Sequence, residues 1–564
     1  MSTDVTPSEQ QQQQPPWLLL AGAFLIGLLL RAWLAPLVVW PLGDAVHYLN
    51  QARHGWWLPT WTPVGETWWL PPLYPALVAA TLGGSTDAAT VALHGQWVNI
   101  ILGSLLPLVL YGVVERLFDR ETARWALWLA VIDPFLVVYS NTQISEPLYL
   151  LLFALLWLCM LAWGGGQCRW SHMSAPLAGL GLYCTRAFGL AGFPAAYAGL
   201  WWARRKAGTC DAMFVRQSAL AWAIFLVIAG IYVGRVSTLQ GEFALDGKSR
   251  YQFLRLSAPD LTSETPDPNY EGKVTGDHLD YAPATPWFEP LTGTRLVQAQ
   301  VRKYLMRQRR VWSSYLTNPV PPYSVVSMFS VPLLLLTGAG IVLVARRRTS
   351  LEAGAVWGAL AGLVILIQPL TFIENRYFVA LVPLALPLAG LALATLSATL
   401  RERIPAASMP PTYVGPALGL ICLVASVAIL APTAQWCRTP ATQYNYALAA
   451  ADSLLQLPSG APSTILDTAG NTAYYLDAAG LTVPDIAPNA LAPFAKEHGA
   501  TALVIDELLG RGKHNRLMLE FLYDTPQDYP EYGLWLVKSE NKPQGRSWRA
   551  YTFVPPPPQR PLNS

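Results

Sequence analysis

The stretch WLLLAGAFLIGLLLRAWLAPLVVWPLGDAVHY, residues 17–48, joins a long apolar run to a short polar element. The run from Trp17 to Trp40 is long enough to cross a hydrocarbon layer of about 30 Å. It is too long for a signal peptide and lacks a small-residue cleavage pattern, so we expect a retained anchor. The stretch therefore predicts a membrane span followed at once by a carboxylate, Asp44.

The rest of the chain repeats this apolar pattern. Of its 564 residues, 53% are hydrophobic and only 13% are charged, which is about half the charge of a typical soluble domain. Apolar blocks of about twenty residues predict roughly eleven crossings, and hence an all-α polytopic membrane protein. The predicted spans are 17–40, 88–114, 122–140, 146–163, 174–185, 187–203, 215–236, 323–345, 351–370, 374–397 and 411–432.

Basic residues orient these spans. Those that cluster in the connectors are Arg116, Arg120, Arg124, Arg169, Arg204, Arg205, Lys206, Arg346, Arg347, Arg348, Arg401 and Arg403. The positive-inside rule places these connectors in the cytoplasm. The pattern requires the spans 174–185 and 187–203 to form a hairpin at Thr185-Arg186 rather than one long broken helix.

This orientation divides the chain into three parts. Residues 1–16 are polar and Gln-rich and are expected to be a disordered cytoplasmic N-terminus. Residues 17–432 form the transmembrane domain, with outer loops at 41–87 and 237–322. Residues 433–564 are expected to form an extracytoplasmic soluble domain that ends in a Pro-rich tail.

The C-terminal segment alternates two kinds of pattern, which is typical of a small α/β domain. The β-like runs are Ser463–Asp467, Ala502–Asp506, Tyr532–Lys538 and Trp548–Val554, and the helical runs are Ala447–Leu455, Leu491–Gly499 and Leu517–Tyr523.

Two carboxylates lie at the outer ends of predicted spans. Asp44 follows the first span, where a charge is costly unless it is used, but it could equally cap a helix from Ala45 to Arg53. Glu146 begins the span at 146–163, where the helix dipole favours an acid in any case. Because both residues fall on one membrane face, they could together deprotonate and orient an acceptor.

Basic side chains at the same face are candidates for binding a phosphate. Arg376 lies in the sequence Glu374-Asn375-Arg376-Tyr377, and arginine is a bidentate phosphate ligand. Taken alone, the motif fits snorkelling at the interface with an aromatic-belt tyrosine better, and Arg186 has the same ambiguity. Lys303 belongs to a basic helical stretch, Arg295 to Tyr315, most of whose charges are expected to contact lipid headgroups.

Several classes of function lack support in the sequence. Walker A, GxGxxG, HExxH and GxSxG motifs are missing, so nucleotide-dependent chemistry is not expected. The seven histidines are dispersed, and the six cysteines have no metal-binding or disulfide spacing. The net charge of only +3 gives no basis for nucleic-acid binding.

In content and order, these elements resemble the C-type (GT-C) glycosyltransferase superfamily, particularly its protein O-mannosyltransferase and lipid A aminoarabinose transferase branch. The shared elements are Arg31, then Gly43, Asp44 and Tyr48, then Pro71 to Pro75, then Pro134 to Glu146, then Thr185 and Arg186, and finally Arg376, Tyr377, Pro383 and Pro387. The sequence departs from the family pattern twice. Ala45 replaces a frequent second acidic residue, and Ala187 replaces a common proline.

The resemblance implies a GT-C fold and transfer of a sugar from a polyprenyl (dolichyl or undecaprenyl) phosphate to an acceptor, with inversion at the anomeric carbon. Asp44 would be the base or position the acceptor, and Glu146 would assist it. Arg376 and Arg186 would hold the phosphate, with Lys303 as a further candidate. The side chains expected around the substrate cavity are His47, Tyr48, Tyr74, Glu374 and Tyr377.

The implied partners are the polyprenyl-phosphate-linked sugar, the lipid bilayer and an acceptor protein, lipid or glycan. No cofactor is implied, and a divalent metal is not assigned because the second acidic residue is missing. The expected location is the bacterial inner (cytoplasmic) membrane, with the active site on the extracytoplasmic side. Two alternatives stay open at this point: a flippase or transporter of lipid-linked sugar, and a non-catalytic glycan-assembly protein.

Overall fold

A computed structural model of the chain shows apolar helices followed by a small mixed β-sheet. It describes residues 17–37, 44–54, 70–166, 170–240, 243–245, isolated positions between 293 and 305, and then 331–346, 351–367, 379–403, 411–458, 460–467, 471–483, 488–506, 520–541 and 547–555. The predictions for 1–16, for the Trp-rich part of the first outer loop and for most of 237–322 lie outside the described residues.

The first fourteen helices of the described residues, labelled in chain order, lead up to the sheet. They are α1 (Trp17–Leu34), α2 (Asp44–His54), α3 (Leu73–Thr81), α4 (Ala88–Leu117), α5 (Arg120–Ile132), α6 (Pro134–Tyr139), α7 (Glu146–Gly164), α8 (Ser171–Tyr183), α9 (Gly192–Ala207), α10 (Ala212–Gln240), α11 (Val331–Arg346), α12 (Leu351–Gly362), α13 (Leu381–Arg403) and α14 (Pro411–Leu455).

The chain is a multi-pass membrane protein. Within the described residues, the five helices α1, α4, α7, α10 and α13 are long and apolar enough to cross a bilayer. Each of the eleven predicted spans overlaps at least one helix, but several of these helices are shorter than a full crossing. The number of eleven crossings therefore stays a prediction.

The span predicted at 122–140 is not one helix, which corrects the sequence analysis. The structure ends α5 at Ile132 and starts α6 at Pro134. Asp133 lies between them, and its Oδ1 accepts a hydrogen bond of 2.9 Å from the Leu136 backbone N–H. Proline has no N–H to continue a helix, and it suits the first turn of a new one. The helix is therefore interrupted at Asp133, which caps a second, short helix that leads towards Glu146.

The hairpin predicted at Thr185-Arg186 is present. Helix α8 ends at Tyr183, Arg186 has extended backbone angles, and a 3₁₀ turn at Ala187–Ala191 leads into α9. A Cβ on Gly189 would overlap the Leu182 backbone, so the turn lies directly against the end of α8. The chain therefore reverses here, with Arg186 at the tip.

Helix α7 lies at the centre of the bundle, and α10 lies at its edge. On α7, Phe153 and Trp157 are almost fully buried, and the helix packs against α4, α8, α9 and α12. On α10, Leu226, Val227 and Ile231 are each about 60% exposed or more. Exposed apolar side chains on a long apolar helix are expected to face lipid.

A five-stranded mixed sheet follows the helices, in the order β2-β1-β3-β5-β4. Its elements are β1 (Thr464–Asp467), α15 (Asn471–Leu476), β2 (Ala479–Thr482), α16 (Pro488–Glu497), β3 (Ala502–Asp506), α17 (Glu520–Asp524), β4 (Trp535–Glu540) and β5 (Trp548–Thr552). Strands β2, β1 and β3 are parallel, whereas β5 is antiparallel to β3 and to β4.

The sheet has an apolar core on each face because successive side chains of a strand alternate. On β3, Leu503 and Ile505 pack towards α16 and α17, and Ala502 and Val504 pack towards the end of α14. Helix α14 is continuous from Pro411 to Leu455. The boundary predicted at 432–433 therefore falls inside a helix that carries the chain from the bundle into the sheet.

Gly189→Ala tests the close packing at the hairpin. The added methyl group would overlap the Leu182 and Tyr183 backbones, which cannot move aside by rotating a side chain, so we expect a loss of about 1–3 kcal/mol of stability. The measurement is the thermal midpoint of the purified protein in detergent. The matched control is Gly358→Ala in α12, where the methyl group would meet nothing within 4 Å. An unchanged midpoint for Gly189→Ala would contradict the described packing.

Candidate functional site

The structure brings Glu146 and Arg186 together as a buried ion pair. Glu146 is the first residue of α7, and its Oε1 accepts from Arg186 Nη2. The two side chains are 1% and 12% exposed. The Arg186 guanidinium carbon also lies 5.7 Å from the centroid of the Tyr149 ring, one turn along α7. Glu146 follows one turn of the chain and Arg186 lies in another, so folding is what brings the two residues into contact.

A backbone hydrogen bond joins the start of α3 to the hairpin that carries Arg186. The Leu73 backbone N–H donates to the Cys184 carbonyl at 2.9 Å. This bond uses a carbonyl that is left free where α8 ends. The Pro71 to Pro75 stretch is thereby held next to Arg186.

Helix α2 contacts the residue directly before Glu146. The Tyr48 hydroxyl and Ser145 Oγ lie 2.9 Å apart in a buried hydrogen bond. The rings of Tyr48 and Tyr74 meet edge to face, with centroids 5.4 Å apart. The Tyr74 hydroxyl donates to the Gly95 carbonyl on α4 at 3.2 Å. Two of the three tyrosines predicted for the cavity, Tyr48 and Tyr74, therefore lie at one junction of α2, α3, α4 and the start of α7.

Asp44 is the first residue of α2, and the predicted helix from Ala45 to Arg53 is confirmed. Asp44 precedes Tyr48 by four residues, which is one helical turn or about 6 Å along the axis. The helix that holds Tyr48 against Ser145 thus begins at Asp44. His47 lies on the same helix and is half-buried.

The turn that leads into Glu146 is buried and polar, and the sequence analysis overlooked the side chains that support it. Asn99 Nδ2 donates to the carbonyls of Thr142 and Ile144 at 2.5 and 2.7 Å. Gln96 Nε2 lies 3.3 Å from the Asn141 carbonyl. The sequence did contain a signal for them: Gln96 and Asn99 lie three residues apart, on one face of a 30-residue apolar helix. Polar side chains in such a helix usually hydrogen-bond to a neighbouring segment.

Arg31 supports the other end of this turn. It is fully buried in α1, and its Nε donates to Ser140 Oγ at 3.1 Å. Its Nη1 donates to the Gly27 carbonyl at 3.1 Å. Arg31, in the first predicted span, therefore stabilises the turn before Glu146.

The remaining predicted site residues are Arg376, Lys303, Glu374 and Tyr377, and they lie outside the described residues. Their roles stay predictions. Within the part of the chain that is described, no group of three His, Cys, Asp or Glu side chains could hold a metal ion. A metal stays unassigned.

The geometry gives the two members of the ion pair different capacities. Glu146 is inaccessible and holds a guanidinium through Oε1, while its Oε2 has no hydrogen-bond partner within the described residues. Arg186 is the more exposed member, and a guanidinium has five N–H donors. Arg186 is therefore the member of the pair that a ligand can reach more easily.

With this geometry described, comparison with known proteins identifies the fold. Residues 71–231 match the family model described as dolichyl-phosphate-mannose-protein mannosyltransferase. This segment contains Tyr74, the buried turn, Glu146 and Arg186. No curated protein sequence matches the chain.

Solved structures resemble the chain over most of its length. The oligosaccharyltransferase of Archaeoglobus fulgidus in the apo form has a TM-score of 0.56 at 14% identity, covering 89% of this chain and 71% of that one. The archaeal oligosaccharyltransferase AglB from Archaeoglobus fulgidus, in complex with an inhibitory peptide and a dolichol-phosphate, has a TM-score of 0.54 at 14% identity. That match covers 97% of this chain and 74% of AglB. ArnT from Cupriavidus metallidurans, bound to undecaprenyl phosphate, has a TM-score of 0.51 at 15% identity. That match covers 95% of this chain and 97% of ArnT.

The fold and the site thus define a polytopic membrane protein with the architecture of these solved structures. The family-model match covers Glu146 and Arg186 but not Asp44, and the structural likeness extends over the bundle and the sheet. Both findings support the resemblance to the C-type (GT-C) glycosyltransferase superfamily that the sequence motifs indicated.

Breaking the ion pair from one side tests its energetic role. Glu146→Ala leaves the Arg186 charge buried without its partner, which typically costs about 3–5 kcal/mol. The double variant Glu146→Ala with Arg186→Met removes both charges, and we expect it to be more stable than the single variant. The measurement is the unfolding free energy of each protein from SDS titration in mixed micelles.

The exposed pair Glu121 and Arg124 provides the control. Its atoms are 3.3 Å apart, and the side chains are 42% and 49% exposed, so Glu121→Ala should cost less than about 1 kcal/mol. If Glu146→Ala costs no more than Glu121→Ala, the buried pair does not stabilise the fold.

Proposed function

We propose that the protein is a membrane glycosyltransferase that moves a sugar from a polyprenyl phosphate to an acceptor, with inversion at the anomeric carbon. The observation that carries this proposal is the convergence of α2, which begins at Asp44, with the buried Glu146–Arg186 pair. The match of residues 71–231 to the mannosyltransferase family model supports it. Two of the structural neighbours contain dolichol-phosphate or undecaprenyl phosphate.

Each residue then has one task in a single displacement. An acceptor hydroxyl attacks the anomeric carbon, the bond from that carbon to the phosphate oxygen breaks, and the polyprenyl phosphate leaves as an anion. The hydroxyl proton passes to the Asp44 carboxylate, as general-base catalysis requires. Arg186, together with Arg376 and Lys303, binds the phosphate, on which negative charge increases as the bond breaks.

Glu146 acts through Arg186 in this proposal. A fully buried carboxylate already paired with a guanidinium is poorly placed to receive a proton from an acceptor. It is well placed to fix the direction of the guanidinium, since an Arg–carboxylate contact restricts the geometry of both groups. The earlier hypothesis of Glu146 as a second base is therefore replaced by a positioning role.

The proposed site faces the side of the membrane away from the cytoplasm. Helix α7 has 19 residues, so its ends are about 28 Å apart. Glu146 lies at one end. At the other end Arg204 donates to the Gly164 carbonyl at 2.9 Å, with Arg205 next to it. By the positive-inside rule the basic end is cytoplasmic, which puts Asp44 and Glu146 at the outer face of the inner membrane.

The sugar and the acceptor are tested with a panel of donors. Membranes that contain the protein are incubated with undecaprenyl phosphates carrying labelled mannose, glucose or aminoarabinose, and labelled protein, lipid and glycan fractions are separated. The proposal expects transfer of at least one sugar. A protein that binds undecaprenyl phosphate but transfers none of these sugars would instead fit a lipid-linked sugar flippase or a non-catalytic assembly protein.

Asp44→Asn tests the base. Asparagine is nearly isosteric and still caps a helix, but it accepts no proton, so we expect transfer to fall by about 10²- to 10⁴-fold. Undecaprenyl phosphate binding should be unchanged. Asp211→Asn makes the same change directly before α10, where Asp211 Oδ1 accepts from the Phe214 backbone N–H at 2.7 Å, and it should retain full activity. Retained transfer in Asp44→Asn would exclude Asp44 as the base.

A further inference from the structure

The segment between β1 and β2 of the C-terminal sheet contacts the helix that begins at Asp44. Helix α15 places Tyr474 among the side chains of α2, α3 and α4, where Tyr474 is 1% exposed. The Tyr474 hydroxyl donates to the Ala88 carbonyl at 2.8 Å, at the first turn of α4. Burial raises the pKa of Tyr474 well above its usual value, so the hydroxyl keeps the proton that it donates.

A polar cluster next to Tyr474 holds the C-terminal end of α2. Arg53 donates from Nη1 to the Tyr474 carbonyl at 3.1 Å, and its Nη2 lies 3.2 Å from Asp477 Oδ1. It also donates through Nε to the Thr86 carbonyl. His54 Nε2 is 3.3 Å from the same Asp477 oxygen. We call Arg53, His54, Tyr474 and Asp477 the docking contact.

The two sides of α15 serve different partners. Ala473 and Leu476 pack into the core of the sheet with Ile465, Val504 and Trp548. Tyr474 belongs instead to the apolar cluster of α2 and α3. The sheet therefore has its own core without the Tyr474 ring, and that ring is used to contact the membrane bundle.

Helix α2 needs such support. It has 11 residues, and an isolated helix of this length is marginal in water. Its middle is fixed by the Tyr48–Ser145 hydrogen bond and its last turn by the docking contact. Asp44 lies at the opposite end of the same short helix, so a shift of the last turn moves the whole element.

We propose that Tyr474 and Asp477 are positioning residues for the transfer reaction: through the docking contact, the C-terminal domain sets the place of α2 and hence of Asp44. This inference rests on the proposed function, in which Asp44 is the base. It predicts that the domain controls turnover without binding the lipid donor. A misplacement of about 1 Å at a reacting group can lower a rate by about 10²-fold.

Three variants weaken the docking contact to different degrees. Tyr474→Phe removes only the hydroxyl, and Tyr474→Ala also removes the ring. Asp477→Asn removes the charge but keeps the backbone, because Asp477 has φ +55° and asparagine tolerates this left-handed conformation. The matched control is Asp524→Asn, an exposed aspartate at the end of α17 in the same domain.

The first readout separates turnover from binding. For Asp477→Asn we expect kcat about 10-fold lower, and for Tyr474→Ala about 10²-fold lower. The donor KM and the affinity for undecaprenyl phosphate should stay within about twofold, since the phosphate ligands are untouched. Asp524→Asn should match the wild type. If the docking variants lower the thermal midpoint but leave kcat per folded molecule unchanged, the contact is only structural and the inference is wrong.

The second readout does not need activity. Ala45, next to Asp44, is 2% exposed. Ala45→Cys is placed in a chain whose six native cysteines are replaced by alanine, and its reaction with a maleimide is timed in purified protein. We expect Tyr474→Ala to raise the labelling rate about 10-fold, because the start of α2 opens more often. Equal labelling rates with and without the docking contact would overturn the inference.

The two readouts keep the proposals separate. If the wild type transfers no sugar from any donor, the proposed function fails, and the labelling rates still decide whether the domain holds α2 in place. If the wild type is active and the docking variants are equally active, the positioning role fails and the proposed function stands.

Discussion

The site depends on hydrogen-bond partners for the buried polar groups of one turn. The chain between α6 and α7 leaves helical geometry at residues 140–145, yet Ser140, Asn141, Gln143 and Ser145 are all at most 2% exposed. In a buried place, each carbonyl or amide without a hydrogen-bond partner lowers the stability of the fold by at least a large part of the free energy of one hydrogen bond. Asn99 and Gln96 supply donors to its carbonyls, and Arg31 donates to the Ser140 hydroxyl. Without them this turn could not deliver Glu146 to the end of α7.

The same constraint links the other breaks in the bundle. Asp133 caps α6 just before the buried turn, and the Leu73 amide uses the Cys184 carbonyl at the end of α8. Two of these interruptions, the buried turn and the hairpin, meet at the Glu146–Arg186 pair. Irregular backbone supplies groups and directions that a continuous helix cannot, which is why polar chemistry in a membrane protein gathers where helices end.

The sequence predicted the elements of the fold better than their contacts. Hydropathy located the apolar helices because a bilayer imposes a minimum length on each crossing. Four of the five strands overlap the predicted β runs. Strand β3 is an apolar run that ends in Asp506, and β5 contains two aromatic residues, Trp548 and Tyr551. Strand β2 was missed because Ala479-Gly480-Leu481-Thr482 has little β propensity of its own. It forms because it pairs with β1.

The candidate site shows the same limit. Asp44, Glu146 and Arg186 were found from their positions at span ends, but a sequence does not state that residues 40 positions apart form an ion pair. Asn99 offered a visible signal as an amide in an apolar helix, although its partners are backbone carbonyls whose positions depend on the fold. Arg53 offered none, because its partners Tyr474 and Asp477 lie more than 400 residues away.

The burial of Glu146 supports the division of roles in the proposed reaction, in which Asp44 takes the proton and Glu146 orients Arg186. A charge in a low-dielectric site is stabilised by its partner, and separating the two exposes the full cost of desolvation. If Glu146 took a proton during each cycle, it would lose its attraction for Arg186 at the moment when the guanidinium is needed by the leaving phosphate. In the proposal the proton passes instead to Asp44, which belongs to a different helix, so the attraction between Glu146 and Arg186 is kept. In the proposed reaction, proton transfer and phosphate binding therefore belong to different elements, and their cooperation depends on the position of α2 relative to α7.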